Sequence, residues 1–278
     1  MTHSRSALVD LLDRHGIVLG RALGQNYVAD PNTVRRIARL AEVGPGDRVV
    51  EIGAGVGSLT LALLETGAAV TAIEVDKRVA AVLTDVLAGT DARVVTGDAT
   101  SLDWSALLGP GPAAGEPSWT LVANLPYNLA TGIVLDLLAG VPAIGRMLVM
   151  VQLEVAERLA APPGSRTYGL PSVKLAWFAR ARIVGRVPPT VFVPEPRVQS
   201  ALLAVERHAA PAADVATFAI VRSLLDASFG QRRKMLRRTI GDRVDEAGFA
   251  AAGVAPSARP EELDVAAWVR LAAVARAV

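Results

Sequence analysis

The sequence contains no cysteine and only three histidines, and these two deficits remove several kinds of chemistry at once. Without thiols there is no disulfide scaffold, thiolate metal site, iron-sulfur cluster or cysteine nucleophile. His3, His15 and His208 lie far apart and in no ligand-like spacing, which argues against a histidine metal site and against a Ser/His/Asp triad. No metal is expected. Long apolar runs are missing too, since nothing approaches the roughly 18 consecutive apolar residues of a membrane span. The opening segment carries Arg5, Asp10, Asp13 and Arg14 where a signal peptide needs an unbroken apolar stretch. No membrane association and a cytoplasmic location are therefore the expectation. A formal net charge of +2 does not announce a nucleic-acid binder, so any such reading has to come from local clustering.

What is present is apolar and globular. Hydrophobic residues make up 51% of the 278 residues, aromatics only 4%, which is enough for one large core or a core plus a smaller domain. From about Asp47, short β-branched runs alternate with helical segments, the pattern of an α/β doubly wound parallel sheet of Rossmann-like form. The expected strands are 48–52, 69–74, 92–96, 119–123 and 146–151. Asp30-Pro31 reads as an N-cap and first helical residue for a helix to Leu40. Residues 109–117 and 161–169 read as Gly/Pro-rich loops, 173–181 as strand or helix, and 182–187 with 198–206 as an antiparallel pair closing the sheet. The pattern divides into a domain over 1–207 and a helical domain over 208–278. In the latter, Phe229, Leu236 and Ile240 share one face of an expected helix whose other faces carry Arg232, Arg233, Lys234, Arg237 and Arg238.

Glu51-Ile-Gly53-Ala-Gly55-Val-Gly57 lies where the first strand turns into a helix, a place where glycines let the backbone approach a ligand. Ser58 stands where a dinucleotide fingerprint needs glycine, so the spacing suits a methyl-donor site better than a nicotinamide site. Three glycines serving only close helix-strand packing is the plainer alternative. Glu74, ending the second strand, is placed to accept from both hydroxyls of a ribose, and Asp98, ending the third, from an adenine amino group. Together they outline an adenosine site.

Asn124-Leu125-Pro126-Tyr127-Asn128 ends the fourth strand. An adenine amine is a weak nucleophile because its lone pair is delocalised into the ring. The Asn124 side-chain oxygen and the Leu125 carbonyl supply two acceptors that hold both amine hydrogens and favour a pyramidal nitrogen. Pro126 fixes the turn, and Tyr127 offers a flat face for a base drawn out of its helix.

These segments, with Leu23-Gly24-Gln25-Asn26-Tyr27-Val28, Phe192 to Ser200 and Phe229 to Arg237, stand in an order that resembles the KsgA (RsmA) family of small-subunit ribosomal RNA adenine dimethyltransferases. The resemblance runs from about Leu23 to Ile240. It implies S-adenosylmethionine as donor and 16S rRNA, in the small subunit or its precursor, as partner. Two adjacent adenosines in the 3′-terminal hairpin are the implied acceptors, each dimethylated at N6. Carried over by position, Asn26 and Val28 border the donor's methionine end and Gly53 lies against the donor. Glu74 holds the ribose, Asp98 the donor adenine, and Asn124 the region between donor and target. Phe192 faces the target base opposite Tyr127, with a core phenylalanine as its alternative.

The chain departs from the family pattern in three places. Tyr27 stands for the usual phenylalanine, Gln199 for a frequent aspartate, and Gly169-Leu170 lacks the common arginine, so an RNA role for the 161–173 segment is left open. Seven basic residues between Arg222 and Arg243, set against Asp226 and Asp242, fit a phosphate backbone or a solvated helix face. Erm-type 23S rRNA methyltransferases and a non-catalytic ribosome-assembly RNA-binding factor are the rival readings. A monomer is expected.

Overall fold

In the computed structural model, residues 2–17, 26–109 and 118–276 are described. Among them the strands are β1 (Tyr27–Val28), β2 (Arg48–Ile52), β3 (Ala69–Glu74), β4 (Arg93–Thr96), β5 (Trp119–Asn124), β6 (Ile144–Gln152), β7 (Ala179–Val187), β8 (Phe192–Val193) and β9 (Ser200–Arg207). Seven of these form one sheet in the order β4-β3-β2-β5-β6-β9-β7, while β1 pairs antiparallel with β8. Strands β4 to β6 run parallel to one another through β2, and β9 returns antiparallel beside β6. This is the doubly wound α/β sheet expected from the alternating pattern. Chain order reverses between β2 and β5, so the crevice outside the carboxyl ends of these two strands is where such a sheet takes its ligand.

Local chemistry explains why the elements begin where they do. The Asp30 side chain accepts from the N–H groups of Asn32 and Thr33 and caps the helix Pro31–Leu40, as expected. Asp76 does the same for the helix Lys77–Val86. Ser4 caps a helix over Arg5–Arg14, an element that the sequence pattern does not announce. Its Leu8, Leu11 and Leu12 are buried in a cluster with Tyr27, Val56, Val79 and Val193. The larger cluster beneath the sheet holds Val49, Leu63, Val122, Leu148 and Leu202.

The chain divides into two compact units, residues 1–156 with 182–206, and residues 157–181 with 207–278. The division expected from the sequence puts 157–181 with the sheet. Tyr168 explains the difference: it is buried, and its hydroxyl donates to the Leu263 carbonyl at 2.9 Å, which joins the 161–169 segment to the C-terminal helices. Residues 170–178 form a helix rather than a strand, and β7 follows at once. Apart from Gly109, the expected 109–117 loop lies outside the described residues, as do Leu23 to Gln25.

The basic helix is also corrected. Helix Val215–Phe229 ends at Gly230, and a separate short helix covers Leu236–Thr239. Between them the chain turns, with the Lys234 N–H donating to the Gln231 carbonyl, and Leu236 and Arg237 donate to the carbonyls of Ala258 and Pro256. Leu236 and Ile240 are buried and Phe229 is packed against the same cluster, so the apolar spacing marks a core face although no single helix carries it.

Candidate functional site

A cleft of about 370 Å3 opens at the carboxyl ends of the strands in the first unit. That lies within the range of about 300–1,000 Å3 usual for small-molecule sites. Asn26, Val28, Gly53, Gly55, Glu74, Asp98 and the run Asn124 to Tyr127 all line it. The structure thus gathers residues from four strand ends and from β1 around one space, as the sequence leads one to expect.

Glu74, at the end of β3, is buried, and each of its carboxylate oxygens already accepts one backbone N–H: Oε2 from Gly55 at 2.8 Å and Oε1 from Asp76 at 3.0 Å. A carboxylate has about four acceptor sites, so these bonds do not exhaust its capacity to accept. Burial raises its proton affinity, opposed by those backbone bonds. Gly55 occupies the left-handed region at φ +58°, and a Cβ there would come within 2.8 Å of the Tyr27 ring. Only glycine lets this turn pass under the aromatic wall.

Asp98 is exposed, and its Oδ1 accepts the backbone N–H of Thr100 at 2.9 Å and the Thr100 hydroxyl at 2.8 Å. Those bonds hold its carboxyl below the usual range. An ionised Asp98 therefore keeps acceptor capacity at the cleft lining.

Asn124 closes β5, and the Leu125 N–H continues the ladder by donating to the Met150 carbonyl at 3.1 Å. The Asn124 Nδ2 donates to the Asn26 carbonyl at 2.8 Å, which orients the amide and frees Oδ1 to accept. Tyr127 is half-buried, and its hydroxyl lies 2.8 Å from the Ser200 Oγ. Burial raises its pKa, so the phenol keeps its proton.

Phe192 is placed differently from the expectation. It is fully buried in the core cluster with Val28 and Leu202, its backbone pairs with Val28, and it does not line the cleft. It is the core phenylalanine of the alternative reading, and it braces β1 through that pairing.

In the sequence, Glu51 stands out only as part of the glycine run. The structure buries its carboxyl at the cleft floor, where Thr60 Oγ1 donates to it at 2.6 Å and burial pushes its pKa up to about 8. In the second unit, Arg233, Lys234, Arg237 and Arg238 are exposed, but Arg232 is half-buried. It donates to the Arg166 carbonyl at 2.8 Å and sits 3.7 Å from Glu261. No group of three or more His, Asp or Glu that could hold a metal is found among the described residues, nor any helix long and apolar enough to cross a membrane.

A sheet that reverses order over a glycine turn, with the Glu74 carboxylate and the Asn-Leu-Pro-Tyr run lining one cleft, is the frame of an S-adenosylmethionine-dependent methyltransferase, the class that the family match gives this chain. The chain belongs to the ribosomal RNA adenine dimethylase family, whose model matches residues 19–276. It is 49% identical to ribosomal RNA small subunit methyltransferase A of Kineococcus radiotolerans, over 95% of this chain and 88% of that protein. The protein of the same name from Streptomyces coelicolor is 47% identical over 90% and 88%. Among solved structures, the 23S rRNA methyltransferase ErmE is 26% identical, with a TM-score of 0.65 over 89% of this chain and 98% of ErmE. A dimethyladenosine transferase from Plasmodium falciparum shares the fold, with a TM-score of 0.69 at 20% identity over 88% and 98%.

Proposed function

We propose that the protein dimethylates N6 of two adjacent adenosines in the 3′-terminal hairpin of 16S rRNA, as a cytoplasmic monomer acting during small-subunit biogenesis. The support is the meeting in one cleft of the adenosine-side acceptors Glu74 and Asp98 with the oriented Asn124 amide. The names of the relatives supply the choice of small-subunit RNA.

The cleft residues suit the donor: Glu74 takes the ribose hydroxyls, Asp98 the adenine amine, and Asn26, Val28 and Gly53 border the remainder. The bound donor supplies an electrophilic methyl on a positively charged sulfur. Asn124 Oδ1 and the Leu125 carbonyl accept the two hydrogens of the target amine, which turns its lone pair out of conjugation and toward the methyl. Tyr127 provides the face on which the extruded base rests. The amine becomes acidic only as it is methylated, so its proton leaves afterwards to water or to the carbonyls at the mouth, and no strong base is required. In the other unit, the exposed Arg233, Lys234, Arg237 and Arg238 meet RNA phosphates.

Mapping N6,N6-dimethyladenosine on both ribosomal RNAs, from cells with and without the protein, tests this. Loss confined to a pair of adenosines near the 16S 3′ end is expected. Loss from 23S rRNA alone would transfer the chain to the Erm-type activity, and no loss from either would leave an RNA-binding assembly factor.

A further inference from the structure

The segment Phe192 to Ser200 forms two separate supports. At its start, β8 holds β1 by pairing Val193 with Tyr27 and Phe192 with Val28, which sets one wall of the cleft. At its end, Ser200 opens β9 opposite Gln152 of β6, and its side chain is fully buried. The Ser200 Oγ meets the hydroxyl of Tyr127, the aromatic residue on the other side of the cleft mouth, at 2.8 Å.

We infer that Ser200 is a positioning residue for methyl transfer, holding the Tyr127 ring by its hydroxyl in the orientation that receives the target base. This rests on the reading of Tyr127 as the base platform. A tyrosine held only at its backbone turns about two side-chain torsions, and a stacking wall that turns is in place for only part of the time. Pro126 restricts the backbone just before the ring, and Ser200 restrains the far end. Ser200 is itself rigid because its backbone belongs to a ladder running from Ser200↔Gln152 to Glu206↔Arg146. The platform is thus set before the base arrives, so the orienting cost is met during folding and not at each encounter. The hydroxyl pair is neutral, because burial keeps the phenol protonated.

The experiment compares Ser200→Ala, Ser200→Thr, Tyr127→Phe, Tyr127→Ala and the double variant Ser200→Ala/Tyr127→Phe. For each, kcat and KM are measured on the ribosomal RNA that the wild type methylates, with donor affinity and melting temperature alongside. Ser200→Ala and Tyr127→Phe are expected to lower kcat by similar factors, roughly ten- to a hundredfold, with donor affinity unchanged. Ser200→Thr, which keeps the hydroxyl, recovers most of the rate. The double variant falls no further than either single one, since both remove the same bond. Wild-type kcat in Ser200→Ala, losses that multiply in the double variant, or no recovery with threonine would each overturn the inference. Tyr127→Ala separates the levels: full turnover there removes the platform itself, whereas its loss beside a fully active Tyr127→Phe removes only the role of Ser200.

Discussion

The side-chain amide of Asn124 donates to the backbone carbonyl of Asn26 at 2.8 Å, across 98 residues of sequence, and so ties the end of β5 to the start of β1. One bond thereby settles which end of the amide accepts and fixes the spacing between two walls of the cleft.

Asn124→Ala should abolish most methyl transfer while reducing donor affinity much less, because the missing acceptor acts on the target amine as the reaction proceeds. Asn124→Asp should be nearly as inactive, since a carboxylate oxygen would then oppose the Asn26 carbonyl where Nδ2 now donates. Single-turnover kinetics beside calorimetry of donor binding check both, and near-normal turnover in either variant would refute the assigned orientation.

Glu74→Ala should weaken S-adenosylmethionine binding by about 1.5–3 kcal/mol, the range for hydrogen bonds to a charged group. The same change leaves the N–H groups of Gly55 and Asp76 without their acceptor, so a lower melting temperature is expected as well. Calorimetry on the folded variant decides, and unchanged affinity would take Glu74 out of the donor site.

Glu51 gives the protein a pH signature. Its ordinary value of 4.5 is pushed up to about 8 by burial, so the folded chain keeps a proton that the unfolded chain gives up. The stabilisation is fully present below 4.5 and is lost as pH rises toward about 8. Glu51→Gln keeps the shape and a partner for Thr60 but cannot ionise. Its stability relative to the wild type should therefore improve steadily across that window. Urea unfolding of both proteins at several pH values measures the difference, and parallel curves would contradict the shift.

The basic cluster predicts a salt effect that leaves out Arg232, which is engaged with Arg166 and Glu261. Alanine at Arg233, Lys234, Arg237 and Arg238 should weaken RNA binding and flatten its salt dependence by about 0.7–0.9 in log-log slope for each phosphate that is no longer neutralised. Donor affinity should persist, because the cleft belongs to the other unit. RNA titrations across a salt series, with circular dichroism to verify folding, test this, and a wild-type slope would mean the cluster is an ordinary solvated surface.

Local chemistry makes much of the sheet readable. β2 and β3 fall on the expected residues, because β-branched runs bounded by glycine and polar turns leave little choice of limits. The Asp30-Pro31 helix start and the cleft residues at successive strand ends are legible for the same reason. What escapes depends on distant partners. Phe192 reads the same whether it faces a base or a core, and only its pairing with Val28 places it. The basic segment keeps a helical spacing of apolar residues through a turn, because burial in one cluster needs a common direction, not a continuous helix. Nothing near Ser200 in the sequence points to Tyr127, and nothing near Glu51 reveals how deeply it is buried.

The first unit is discontinuous in the chain: it is left after Ala156 and resumed at Arg182. The two supports of the cleft, β8 beneath β1 and Ser200 against Tyr127, both belong to the resumed part. On the ribosome that makes it, this chain therefore has no finished cleft until β8 and Ser200 have emerged, and by then residues 157–181 are already outside. An N-terminal fragment stopping short of β9 would retain every glycine and carboxylate of the site, yet present β6 as a bare sheet edge. The usable minimum for methyl transfer is thus set by the last strand to return, not by the motif that touches the ligand.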